Sequence, residues 1–285
     1  MNKILTILID ALILFAVSTV FVYLADLGFS GLKKKVPKDN PVVTAIVQGE
    51  IKNLEEAINM KADNTGNQAP QDGGNLLVRT DDQGRTALMR AAFVNLRKIK
   101  EEDKEVAKAV QDDRSLTLRL AKDFDDLKTD NDKIKKEAKG IANEFRELTT
   151  RIRALAYDKV AEHDEIRLPM ITLLMEHGAQ INARDNDGWT ALMWASWSGL
   201  TKTTEKLLDS GADISFEDKQ GNNAMTIAAQ RGNVGVVRSL LAKGANPLTA
   251  TSTGKTARAA AEMGMAEYRT YEKDYVEILR LLDLR

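Results

Sequence analysis

Apolar and polar positions are distributed along this chain in three ways, and each predicts a different kind of element. From Ile4 to Leu24 nearly every residue is apolar, the exceptions being Thr6, Asp10, Ser18 and Thr19. A run of that length can cross a bilayer as one helix. In the middle of the chain, Ile134, Ala138, Ile141, Phe145, Leu148, Ile152 and Leu155 fall in steps of four and three, a heptad seam. Before it, Val106, Val110, Leu120, Phe124 and Leu127 carry the mirror register, and Thr129-Asp130-Asn131-Asp132 is a turn signal between them. Folding on that turn pairs Leu127 with Ile134, Phe124 with Ala138 and Leu120 with Ile141, and sets Asp103 opposite Lys159. The pattern predicts an antiparallel coiled-coil hairpin with arms of about 30 residues, roughly 45 Å long. A helical linker folded back on the rest of the chain is the alternative.

The third pattern is punctuated by glycine. Gly188, Gly221 and Gly254 are 33 residues apart, and so are Gly178, Gly211 and Gly244. A fixed period of this size means that one small unit, unable to bury its own apolar face, stacks on copies of itself. One unit reads Asp185-Asn186-Asp187-Gly188-Trp189-Thr190-Ala191-Leu192-Met193-Trp194-Ala195, then Gly199, then Leu207-Leu208-Asp209-Ser210-Gly211-Ala212-Asp213. The Asp-x-x-Gly string makes a tight turn. Thr190 can cap a first helix (helix A), Gly199 can end it in a left-handed conformation, and Gly211 can do the same for a second (helix B). Over residues 168–257 these motifs resemble the ankyrin repeat family. The resemblance implies an all-α repeat solenoid of β-turn fingers and antiparallel helix pairs. The chain departs from the family's Thr-Pro-Leu-His, with Thr-Ala-Leu-Met at 190–193 and Asn-Ala-Met-Thr at 223–226, so the network usually made by that histidine is open.

The same register extends in both directions. Asp81 to Ala92 is the first half of a unit whose second half starts only at Leu168, and 71 residues are inserted at the turn between its helices. Pro41–Asp63 fits a degenerate first unit, and Asn64–Gly74 reads as a flexible loop. Gly254-Lys255-Thr256-Ala257 opens a fifth unit whose second helix is expected at Tyr271–Leu282, with a polar outer face suited to a cap. The expected organisation is therefore a membrane anchor and basic segment at 1–36, repeat 1 and half of repeat 2 at 37–95, the inserted hairpin at 96–166, and the remaining repeats at 167–285.

Charge and composition narrow the partners. The net charge is -1, so no basic domain is available for a nucleic acid backbone, and the absence of cysteine excludes disulfides and thiolate metal sites. No cofactor is expected. Gly254-Lys255-Thr256 lacks the first glycine of a phosphate loop, since Thr249 stands there. Asp185-Asn186-Asp187-Gly188 lacks the first carboxylate of a calcium loop, where Ala183 stands. His163 and His177 have no nucleophile or metal-ligand cluster in sequence reach, so no enzyme activity is expected.

At the N-terminus an uncleaved single-pass anchor is favoured over a cleaved signal peptide, because Ala16-Val17-Ser18 is a poor cleavage site and the apolar run continues past it. Lys33, Lys34, Lys35 and Lys38 outweigh Lys3, which places the repeats in the cytoplasm, with a bacterial periplasm as the opposite orientation. Asp10 is a carboxylate inside the span and faces a partner, water or a proton path, or is tolerated near the interface. The string around it faintly resembles the membrane segment of proton-driven stator proteins.

The ankyrin resemblance implies a concave protein-binding face at the turn tips and late in helix A. Those positions hold Arg85, Phe93 and Val94, then Trp189 and Trp197, then Asn222, Gln230 and Arg231, while Trp194 is expected in the core. Aromatic residues and arginine dominate interface energetics. The expected function is a membrane-anchored scaffold that recruits a protein partner, the hairpin serving as a second contact or oligomerisation arm. The alternatives are a subunit of a membrane transport or energy-coupling complex that uses Asp10, and a periplasmic protective protein.

Overall fold

A computed structural model describes residues 41–48, 50–59, 77, 80–93, 154, 158–267 and 272–283. These residues contain helices and turns and no strand. Those in 41–93 and from 160 onward belong to one compact unit. The expected span at Ile4–Leu24 and the expected hairpin seam lie outside the described residues. Among the described residues no helix is long and apolar enough to cross a membrane.

The helices are α1 (Pro41–Gln48), α2 (Ile51–Asn59), α3 (Ala87–Ala91), α4 (158–176), α5 (Ala191–Ser198), α6 (Thr201–Asp209), α7 (Ala224–Arg231), α8 (Val234–Ala242), α9 (Ala257–Glu267) and α10 (Glu272–Asp283). They form two layers. Helices α1, α3, α5, α7 and α9 stack in succession as A helices, and α6, α8 and α10 stack beside them as B helices. An A helix has neighbours on nearly every side, so it must be apolar and slim. Accordingly 191–196 and 224–229 are buried at every position. The B helices bury one stripe only, such as Val236, Val237, Leu240 and Leu241 of α8.

Local chemistry begins α3, α5 and α7 at the same place in the repeat. Thr86 Oγ1 accepts from Met89 N–H at 3.3 Å, Thr190 Oγ1 from Met193 N–H at 3.3 Å, and Asn223 Oδ1 from Thr226 N–H at 2.9 Å. Asn223 and Thr226 complete a reciprocal capping box. At the far ends of α5 and α7, Gly199 (φ +76°) and Gly232 (φ +74°) adopt the left-handed conformation that a Cβ disfavours. Helices α6 and α8 close in a Schellman motif. Ala212 N–H reaches Leu207 O at 2.9 Å and Gly211 N–H reaches Leu208 O at 3.1 Å, and Ala245 and Gly244 repeat the pattern on Leu240 and Leu241.

The closing helix is described over Glu272–Asp283, one residue past the expected end at Leu282. The expected first residue, Tyr271, lies outside the described residues, and Val276 stands 53% exposed on the helix's otherwise charged outer face. The B helix of the interrupted repeat runs through the 166–167 boundary and is described from 158. Pro169 reads as a first helical residue, the position proline favours. Tertiary hydrogen bonds from Asp164 and Arg167 hold the helix ahead of it.

Candidate partner-binding face

Each finger is built around one acceptor side chain. Asp81 Oδ1 takes the N–H groups of Gln83 and Arg85, both at 2.9 Å. Asp185 Oδ1 takes those of Asp187 (3.0 Å) and Trp189 (2.8 Å), and Asp218 Oδ1 those of Gln220 (2.9 Å) and Asn222 (2.7 Å). In the last finger Thr251 replaces aspartate, and its Oγ1 accepts from Lys255 N–H at 3.1 Å. Neighbouring fingers are tied by backbone, Asn186 N–H to Gln83 O at 2.9 Å and Lys219 N–H to Asp187 O at 3.0 Å.

The second carboxylate oxygen distinguishes the repeats. Asp81 Oδ2 holds Arg85 Nε at 3.0 Å and also pairs with Arg90. Burial pushes this carboxyl up, but the Arg85 backbone donor and the charges of Arg90 and Arg85 outweigh it and hold Asp81 below the usual carboxylate value. Asp185 Oδ2 accepts instead from Trp194 Nε1 at 3.1 Å. Burial is the largest influence there and raises Asp185, with hydrogen bonds from Trp189, Trp194 and Asp187 as the counterweight. Asp218 Oδ2 accepts from Asn222 Nδ2 at 2.9 Å.

These fingers position an aromatic chain across two repeats. Phe93, just after α3, meets Trp194 edge-on with ring centroids 5.0 Å apart. Trp194 lies 4.6 Å from Trp189, which meets Trp197 edge-on at 5.7 Å. The Arg231 guanidinium from the next repeat sits 4.1 Å from the Trp197 ring centre, a close cation–π contact. Arg85 lies 5.8 Å over Trp194.

Residues 156–218 match a family model described as ankyrin repeats (3 copies), and residues 220–252 match one described as ankyrin repeat. Those two segments carry ankyrin repeats. No curated protein matches the chain.

The ankyrin geometry corrects part of the expected face. Arg85 and Trp189 are buried, at 6% and 8% exposure, rather than presented at the turn tips. Together with Asn222 they occupy the position four residues after the finger acceptor, where a side chain lies over the buried carboxylate. Arg85 and Asn222 answer that carboxylate with donors. Trp189 folds down onto Trp194, which is 5% exposed and in the core as expected. Asn222 is half-buried and also accepts from Lys255 Nζ at 2.8 Å, so it links fingers rather than standing at the periphery. Phe93, Trp197, Gln230 and Arg231 are half-buried. Phe93, Trp197 and Arg231 join the aromatic chain, whereas Gln230 is engaged through its carbonyl, which accepts the Tyr275 hydroxyl at 2.7 Å. Val94 and Asp10 lie outside the described residues.

Two finger acceptors take a donor nine residues on, Arg90 for Asp81 and Trp194 for Asp185. The recurring aspartate was visible in the sequence, its partner was not. Helix ends are also stitched by side chains from neighbouring repeats. Asn233 Nδ2 donates to Ser196 O (2.7 Å) and Trp197 O (3.2 Å), and Arg167 donates to Arg90 O (3.1 Å) and Ala91 O (3.0 Å). Burial pulls the Arg167 guanidinium down to about 10. Among the described residues no His, Cys, Asp or Glu cluster could hold a metal ion.

Proposed function

We propose that this protein is a membrane-anchored ankyrin scaffold that holds a protein partner on the face carrying Phe93, Trp197 and Arg231. The observation that carries the reading is the aromatic chain with Arg231 stacked on Trp197 at 4.1 Å. A ring half-buried in its own fold, rigidly supported by Trp189 and Trp194, can present area to a partner with little loss of side-chain freedom. The stacked architecture supports binding rather than catalysis, because solenoids offer extended concave surfaces. The apolar Ile4–Leu24 run supports anchoring, with four following lysines favouring a cytoplasmic repeat domain.

The test separates support from contact. Trp189→Ala removes a buried ring and should lower folding stability by about 3–5 kcal/mol. Trp197→Ala should lower it less, yet weaken co-purification of native partners from detergent extracts by tenfold or more, about 1.4 kcal/mol. Unchanged co-purification in the Trp197 variant would sink the proposed face. A C-terminal reporter active only when exported would overturn the cytoplasmic orientation.

A second reading rests on Asp10 within the apolar run. In a transport or energy-coupling subunit, Asp10→Asn should abolish activity while membrane insertion persists, since it keeps shape and removes charge. Normal activity with asparagine and with leucine at that position would exclude it.

A further inference from the structure

The first turns of α4 hold two helix ends of opposite polarity. By the 33-residue register the B helix of this repeat begins at Leu168, as α6 begins at Thr201 and α8 at Val234. The helix nevertheless reaches back to 158. Exposed Pro169 stands at the junction and has no N–H for the Glu165 carbonyl, so the extension is joined to the B helix by a weakened turn.

From this extension Asp164, only 3% exposed, accepts the N–H groups of Lys202 (2.7 Å) and Thr203 (3.0 Å) at the start of α6. Helix α6 needs that acceptor, because its own N-cap residue is Leu200, with no side-chain cap. One turn on, Arg167 donates to the Arg90 and Ala91 carbonyls at the end of α3. Helix α3 has only five residues and closes on Ala92 in a right-handed conformation, without the left-handed glycine that ends α5 and α7. A carboxylate at one N-terminus and a guanidinium at one C-terminus both complement the helix dipoles.

We propose that residues 160–168 are a strut, hinged at Pro169, whose seating caps α3 and α6 together and thereby sets the order of the partner-binding face. The link to binding rests on the face proposed above, since Phe93 follows the carbonyls that Arg167 holds by only two residues. When the strut is seated, both helix ends are satisfied and Phe93 is kept against Trp194. When it unwinds, both ends lose their partners in one step. The chain enters α4 directly from the inserted segment, so an event on the insertion that unwinds the strut reaches two repeats at once.

The experiment is residue-resolved amide exchange on the full-length protein. Ala161 is exposed, so Ala161→Gly weakens the strut without removing a packed group. Exchange at Ala91, Ala92, Lys202 and Thr203 should rise together by about fivefold, the effect of glycine in a helix interior. Pro169→Ala restores the missing N–H and should slow exchange at the same four amides. Asp164→Ala should accelerate Ala91 and Ala92, which it does not touch, as well as Lys202 and Thr203. Acceleration confined to one helix end in these variants would overturn the strut. If both ends respond to Ala161→Gly and partner co-purification is as in wild type while Trp197→Ala abolishes it, the link to binding is overturned. If Trp197→Ala has no effect on co-purification, the binding face fails and the exchange result stands independently.

Discussion

Burial alone would raise both Asp81 and Asp185, yet only Asp185 is raised. Asp81 is directly ion-paired with Arg85 and Arg90, whereas hydrogen bonds from Trp189, Trp194 and Asp187 are what oppose burial at Asp185. The consequence for acid stability has opposite sign at the two sites. The Asp81 carboxylate is favoured in the fold, so its contribution is fully present above the unfolded value of about 3.9 and is lost as pH falls through its lower folded value. Asp185 carries a cost of burying charge at neutral pH, and protonation relieves that cost as pH falls through its raised folded value. Asp81→Asn keeps an oxygen for the turn amides but leaves Arg85 and Arg90 without their carboxylate. It should therefore destabilise the neutral protein by about 3–5 kcal/mol, the usual effect of breaking a buried pair. It should also remove the part of the acid limb below about pH 4 that Asp81 supplies. Urea denaturation of both proteins across pH 2–7 would check this, and an unchanged acid limb would show that the pair is screened.

At the scale of elements, two helix ends with left-handed glycines test how much neighbouring repeats contribute. Gly211 ends α6 with φ +91° and has open space where a Cβ would stand, whereas Gly232 ends α7 with φ +74° and a Cβ there would lie 3.2 Å from Tyr275 Cζ. Gly211→Ala should therefore cost only the backbone strain, about 1–2 kcal/mol. Gly232→Ala should cost that and more, because Tyr275 is 1% exposed and fixed by its hydroxyl on the Gln230 carbonyl. Thermal denaturation should order them wild type, Gly211→Ala, Gly232→Ala from most to least stable. Equal losses would mean that Tyr275 yields without resistance.

For the molecule as a whole, the insertion should be dispensable only up to the strut. Replacing residues 96–157 with a flexible linker of about ten Gly and Ser residues, roughly 16–19 Å in mean span, keeps Asp164 and Arg167 in place. That protein should retain one cooperative unfolding transition, because each repeat contacts mainly its neighbours. Extending the deletion to 166 removes Asp164 with its two hydrogen bonds to α6 and should lower the melting temperature further. If the two deletions melt alike, the strut adds no stability.

The stack itself was legible in the sequence. Turn glycines, the capping Thr190 and the B-helix glycines all act within one repeat, and local backbone chemistry at a fixed spacing survives as a written period. The recurring aspartates Asp81, Asp185 and Asp218 were legible for the same reason. What lay beyond the sequence was every choice made between repeats. Trp189 looked like an exposed tip residue, and only the position of Trp194 beneath it turns the ring inward. Arg85 looked available to a partner, and only the carboxylate of Asp81 with Arg90 alongside encloses it. The repeat register starts this helix at Leu168, but it is described from 158, and the helix ends that engage Asp164 and Arg167 come from α6 and α3. A period records what each unit does alone. Burial and pairing between units depend on which side chains the stacking brings together, and that is a property of the tertiary structure.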